Sequence, residues 1–135
     1  MTALYLLDTD ICSYIMKRSH AKVLQRLVSV DIESVAISVI TEAELLFGLK
    51  LSANEKQNQD SLDAFIKHVS VIEWSRSAAE HYADICAYLT KRGQLIGAND
   101  LLIAAQARSL GACLVTNNER EFSRVQDLSI ENWAS

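Results

Sequence analysis

The sequence predicts an α/β fold of three layers, α/β/α, around a central parallel sheet of four to five strands, in one domain over residues 1–135. Three observations predict it. Short apolar runs rich in β-branched residues recur along the chain with helical patterns between them, and that alternation makes a parallel sheet covered by helices on both faces. Half of the residues are hydrophobic and 22% are charged, which suits a chain with one sizeable core and excludes a disordered one. There are four glycines and no proline, so no Pro- or Gly-rich linker divides the chain, and no internal repeat does so either.

The elements follow in order. Leu4 to Leu7 is an apolar run that ends at Asp8, the pattern of a buried strand. Asp10 is placed to cap a helix carrying Ile11, Tyr14 and Ile15 at helical spacing, and a short helix covers Lys22 to Val28. Val35 to Val39 is the second strand, rich in β-branched residues. Thr41 then opens a helix through a Thr-x-x-Glu capping box with Glu44. Glu55 to Lys67 is amphipathic, with Leu62, Phe65 and Ile66 on one side, and Val69 to Trp74 is the third strand. The helices Ser77 to Arg92 and Asp100 to Leu110 stop at Gly93 and Gly111. Ala112 to Thr116 is the fourth strand, left through Asn117-Asn118, and Leu128 to Ile130 is a short fifth.

Composition excludes several functions. No apolar run approaches the ~20 residues of a membrane span. The first residues lack a basic region and meet Asp8 at once, unlike a secretory signal. Cys12, Cys86 and Cys113 are odd in number, widely spaced and form no CxxC, which is expected of free thiols in the reducing cytoplasm. His20, His68 and His81 are scattered and do not favour a zinc site. Lys+Arg number 13 against 17 Asp+Glu, a formal charge of −4, which argues at first against a duplex-DNA binder.

In a parallel sheet with helices on both faces, ligands sit beyond the C-terminal strand ends, where the strand order reverses. Acids stand at those positions. Asp8 follows the first strand, with a turn or N-cap role as the competing structural reading. Glu44 competes with a capping role and with Glu42. At roughly 100° per residue the two glutamates point about 160° apart, so one of them can face a shared pocket. Gly48 stands one turn beyond Glu44 on the same face and leaves space above it. Asp100 begins a helix, where the dipole is expected to keep its carboxylate ionised at a low pKa. Asn118 and Glu121 follow the fourth strand, with Phe122 as an anchor onto the core. Converging acids repel one another and need a counter-charge. Oxygen-only ligation selects Mg2+ or Mn2+, suited to phosphoryl transfer, in which one ion activates water and a second steadies the leaving oxygen.

These residues, taken together, resemble the PIN-domain ribonucleases, specifically the VapC-type toxins of bacterial toxin–antitoxin pairs. The matching pieces are Leu7-Asp8-Thr9-Asp10-Ile11, Ile37-Ser38 through Thr41-Glu42-Ala43-Glu44-Leu45 with Gly48, and Gly93 through Asn99-Asp100. They continue with Val115-Thr116-Asn117-Asn118, Arg120-Glu121-Phe122 and Glu131-Asn132-Trp133. No piece is specific alone; their order across nearly the whole chain is. The resemblance implies a PIN-like fold, with Asp8, Glu44 and Asp100 as metal-site acids. It places Asn118 where many relatives carry a fourth aspartate, leaving that position to Glu121 or to a water held by Asn118. Asp10 stands in place of a more usual Asn or Ser, and Leu95 in place of a frequent proline.

The resemblance also implies a cytoplasmic, magnesium-dependent endoribonuclease that inhibits translation. The RNA expected is tRNA, with the initiator anticodon stem-loop as target and 5′-phosphate and 3′-hydroxyl ends as products. The partners expected are a VapB-type antitoxin presenting a basic side chain to the acids, and a second copy of the chain, as a homodimer inside the toxin–antitoxin complex. DNA would be reached only through the antitoxin, and no membrane is involved. Setting aside Asp8, Glu44, Asp100 and Glu121 leaves 13 acids against 13 basic residues, so the acidity can reside in the pocket and no longer argues against RNA.

Lys17-Arg18, Lys91-Arg92, Arg120 and Arg124 are candidates for phosphate contacts, against the competing reading of solvated helix ends. Tyr14, Ile15, Leu24 and Leu27 form either an apolar groove for an antitoxin helix or ordinary core. Trp133 reads as a core plug rather than a base-stacking platform. Two other functions remain at this point. One is a haloacid-dehalogenase-type phosphatase with Asp8 as nucleophile, although Cys12 stands where that pattern wants Thr or Val. The other is a PIN-like interaction module without catalysis, for which Asn118 in place of an acid is the best support.

Overall fold

Alternation within very short apolar runs decides which side chains go to which face of the sheet. The computed structural model describes residues 3–135. Its strands are β1 (Tyr5–Leu7), β2 (Val35–Ser38), β3 (Ser70–Ile72), β4 (Cys113–Val115) and β5 (Ser129–Glu131). They pair in parallel in the order β3-β2-β1-β4-β5. The helices are α1 (Thr9–Lys17), α2 (Ala21–Ser29), α3 (Val39–Leu51), α4 (Glu55–Ile66), α5 (Ser77–Lys91), α6 (Ala98–Leu110) and α7 (Glu119–Phe122).

Leu6, Ala36 and Leu114 point to one face, where Ile85 and Leu89 of α5, Ile103 and Ala104 of α6, and Phe122 cover them. Leu7, Val35, Ile37 and Val115 point to the other, under Ile11 and Cys12 of α1, Val23 of α2, Phe65 of α4 and Trp133. Trp133 is buried and tilts against Tyr5 with ring centroids 5.5 Å apart, so it is the expected core plug. Phe122 is likewise fully buried as the expected anchor. The three cysteines are free thiols. Among the described residues, no helix is long and apolar enough to cross a membrane.

The chain runs outward from β1 to β2 and β3, then returns to place β4 on the other side of β1. The strand order therefore reverses between β1 and β4, and Asp8 and Thr116 leave the sheet side by side there. The Asp8 amide donates to the Val115 carbonyl at 2.8 Å.

Three local expectations are corrected by the structure. α1 begins at Thr9, and Asp8 rather than Asp10 is its N-cap, accepting from the Thr9 amide. α3 begins at Val39, capped by Ser38 Oγ accepting from the Ile40 amide. Thr41 thus lies inside α3, fully buried and without a hydrogen-bond partner among the described residues, so it forms no capping box with Glu44. α6 begins at Ala98, which moves Asp100 from the start of the helix to a place within its first turn. For α1 and α3 the strand end delivers the chain straight into the helix, so the residue at the strand end takes the cap; α6 instead follows the loop after α5 and is capped by Gly97. α6 ends as expected at Gly111, whose φ of 63° is the left-handed cap that glycine adopts without Cβ strain.

Candidate active site at the strand ends

The site is built from the residues that follow β1 and β4 and from the first turns of α3 and α6. Asp8 is 6% exposed. Its Oδ1 accepts from the Thr9 amide at 2.8 Å and its Oδ2 from Thr116 Oγ1 at 2.8 Å. Thr116 Oγ1 also accepts from the Asn118 amide at 2.9 Å, so one hydroxyl ties the end of β4 to the acid of β1. Glu44 Oε1 accepts from Thr9 Oγ1 at 2.6 Å, and Oε2 from Asn99 Nδ2 at 3.5 Å. Glu44 is thereby the glutamate turned toward the strand ends, and its competing capping role is removed by the corrected start of α3. Asn118 Nδ2 donates to Glu121 Oε2 at 3.2 Å, making the two candidates for the fourth position neighbours.

Electrostatics link these carboxyls. Burial, then the Asp10 carboxylate, raise the Asp8 carboxyl to about 7 against the pull of its hydrogen bonds from Thr116 and Thr9. Burial, then Glu44, Glu121 and Asp10, raise Asp100 to about 6. The low pKa expected for Asp100 from the helix dipole is thus overturned: loss of water and three like charges outweigh one helix end. Asp10 is raised as well, mainly by burial, with Glu44 adding to it.

The donor set fits a hard divalent cation. It is all oxygen, and the ion pairs among the described residues lie elsewhere, at Arg26–Glu131, Lys50–Glu55 and Arg108–Asp84. These carboxyls therefore lack the counter-charge that would hold them ionised. No three His, Cys, Asp or Glu side chains among the described residues stand close enough to enclose an ion. The arrangement is that of acids brought to one edge and held by hydroxyl and amide donors rather than closed around a centre.

Four contributors were not singled out as site residues from sequence. Thr9, Thr116 and Asn99 orient the acids, and Asp10 adds its charge to the cluster while accepting from the Ile11 and Asn117 amides. Their signal was position alone: each stands one or two residues from a site acid or at a strand end.

Of the basic candidates, Arg124 is turned back to the Gln94 and Leu95 carbonyls, and Arg92 lies over the Tyr88 ring at 3.6 Å. Of the expected apolar groove, Ile15 and Leu27 line a cavity of about 410 Å³ with Phe65. Tyr14 instead stacks on His20 at 3.7 Å and accepts from Asn117 Nδ2.

Comparison with known proteins agrees with this fold. The PIN domain family model matches residues 5–128. Ribonuclease VapC2 of Haemophilus influenzae is 40% identical over 129 residues, covering 96% of this chain and 97% of that protein. The tRNA(fMet)-specific endonuclease VapC of Shigella flexneri is 35% identical over 130 residues, covering 96% and 98%. In the crystal structure of Rickettsia felis VapBC2 bound to a promoter DNA fragment, one chain superposes with a TM-score of 0.91 at 36% identity, covering 96% of this chain and 98% of that one.

Proposed function

The chain belongs to the PIN-domain family, and on that premise we propose that it is the toxin of a VapBC toxin–antitoxin pair, a metal-dependent endoribonuclease acting on tRNA. The observation that carries the reading is the placing of Asp8, Glu44 and Asp100 along one edge of the sheet, where Asp100 couples by charge to the other two, in a chain related over nearly its full length to VapC ribonucleases. The haloacid-dehalogenase reading is set aside with the family, and both Asp10 oxygens are in any case engaged by backbone amides.

Asp8, Glu44 and Asp100 are the residues to hold the ion, which we take to be Mg2+, with Mn2+ as the alternative. The fourth position falls to Glu121 or to a water held by its neighbour Asn118. A bound divalent ion supplies Lewis-acid activation of water and charge neutralisation at the phosphate. The chain's own residues set the stage for that chemistry. Thr116 and the Thr9 amide fix the plane of the Asp8 carboxyl, and the Thr9 hydroxyl and Asn99 fix Glu44. The uncompensated acids repel a phosphodiester until a cation is present, so RNA approaches the loaded site and binds weakly to the empty one.

The substrate we infer is the initiator tRNA anticodon stem-loop, cut to 5′-phosphate and 3′-hydroxyl ends in the cytoplasm. The partners are a VapB-type antitoxin that brings a basic side chain to the acids and carries the DNA-binding part, and a second toxin copy within the complex. The test is cleavage of purified tRNA with Mg2+ and its loss with EDTA. Asp8→Asn and Asp100→Asn should both be inactive yet folded. Full activity in both variants would overturn the site, and a wild type that binds antitoxin but never cuts RNA would make the chain an interaction module.

A further inference from the structure

A cavity of about 600 Å³ opens beside Glu44 and runs between α1, α3 and α4. Its floor is apolar, formed by Met16, Leu45, Leu49 and Leu62. Its rim is polar, with the amides of Gln57 and Asn58, the Ser13 and Ser61 hydroxyls, and Lys17. Gly48 leaves the α3 wall without a side chain, and a Cβ built there meets nothing within 4 Å. The opening is a solvent-facing groove between helices, of a size that admits a small ligand.

We propose that this cavity is a nucleotide subsite, receiving the residue of single-stranded RNA that flanks the scissile phosphate, with Gln57 and Asn58 reading the edge of its base. The proposal rests on the ribonuclease reading above and extends it to sequence preference. Five features support a nucleotide. The volume falls in the range of small-ligand pockets and takes a single nucleotide rather than a helix of RNA. An apolar floor under a rim of amides matches a base, which has a flat apolar face and an edge of donors and acceptors. A side-chain amide offers both kinds of group. The Gln57 amide has no hydrogen-bond partner among the described residues, and Asn58 uses only Nδ2, donating to Ser52 Oγ. Lys17 adds a positive charge to the rim that can pair with a backbone phosphate, beside the Glu44 carboxylate of the wall. Glu44 belongs both to the cavity wall and to the acid cluster, so a strand cut at the acids passes directly over the opening.

Two arms test this. In the first, pooled anticodon stem-loop oligoribonucleotides, randomised in the single-stranded loop around the cleavage site, are cut by wild type, Gln57→Leu and Gly48→Leu, and the ends are sequenced. Gln57 is exposed and the Gly48 position is open, so thermal melting should show both variants folded. Wild type should prefer one base at a position adjoining the cut, and each variant should weaken that preference about tenfold, the scale of a lost base-edge contact. In the second arm, the Gln57 and Asn58 side-chain amide signals of metal-free, 15N-labelled protein are followed during titration with AMP, GMP, CMP and UMP. One nucleotide should move them, and Gly48→Leu should remove the response. Unchanged preference in both variants, with no amide response to any nucleotide, overturns the subsite. Unchanged preference with weakened binding of a basic antitoxin peptide also overturns it and gives the cavity to the protein partner. A wild type that cuts no RNA, yet answers one nucleotide through these amides, sinks the ribonuclease reading and leaves the subsite standing.

Discussion

α3 and α6 are both thirteen residues long and each carries one acid of the site, yet they hold it in opposite ways. α6 is sunk in the core: Ile103, Ala104, Ala105 and Ala107 are fully buried, and Gln106 Nε2 donates to the Ile72 and Glu73 carbonyls at 3.1 Å. Its small residues let it lie close to the sheet, and Asp100 is placed by packing alone. α3 buries only Thr41 and Leu49, while Phe47 and Leu51 are 66% and 73% exposed. Glu44 therefore depends on two side-chain hydrogen bonds for its position, and it borders the open cavity. The difference separates two settings: one acid sits on a helix fixed by packing, and the other on a helix whose outer face and bordering cavity are open.

The comparison makes graded predictions. The largest effect is chemical: Asp100→Asn should lower tRNA cleavage by about 10³-fold, because ligand loss at a metal site removes several kcal/mol of transition-state stabilisation. Its melting temperature should not fall, since a neutral amide escapes the burial and repulsion that raise the Asp100 carboxyl. Next, Ile103→Ala in α6 should destabilise the fold by about 3 kcal/mol through a core cavity, whereas Phe47→Ala in α3 should stay within about 0.5 kcal/mol. Chemical denaturation of the two variants checks this, and equal losses would dissolve the contrast between the helices.

A pH titration of stability probes the acids themselves. Asp8 and Asp100 are raised from 3.8 to about 7 and about 6, so between those values the folded metal-free chain binds more protons than the unfolded one. Stability should then be greatest near pH 4 and fall, by on the order of 2 kcal/mol, as pH rises through 7, levelling off above. Asp8→Asn or added divalent cation should flatten that slope; a rising slope over this window would contradict the site electrostatics. The smallest effect tests how α3 holds its acid. Thr9→Val should cut cleavage about tenfold, roughly 1.4 kcal/mol, by releasing Glu44 from its 2.6 Å partner with little change in melting.

Much of this was legible in the residues. Period-two and helical patterning carry a strong local signal, so five strands and six of the helices fall close to their expected places, while the single-turn α7 was too short to show a helical pattern. Boundaries fared worse where strand and helix abut: Asp8 took the cap expected of Asp10, and Ser38 the cap expected of Thr41. A cap is chosen by where the preceding strand lets go of the sheet, and the sheet is a tertiary object. Among the site residues, Asp8, Glu44 and Asp100 were marked by chemistry and spacing. Thr9, Thr116 and Asn99 were not, because a hydroxyl or amide beside an acid is ordinary until the fold points it at one.

The sequence by itself determined the alternation of elements, the supply of acids at strand ends and the family, because each is written in local pattern and in the order of short motifs. Only the tertiary structure decided that Asp8 loses its water, that Asp100 meets Glu44, Glu121 and Asp10, and that α3 leaves a cavity beside its glutamate. Those properties depend on desolvation and on neighbours brought from segments tens of residues apart, and no local window contains them.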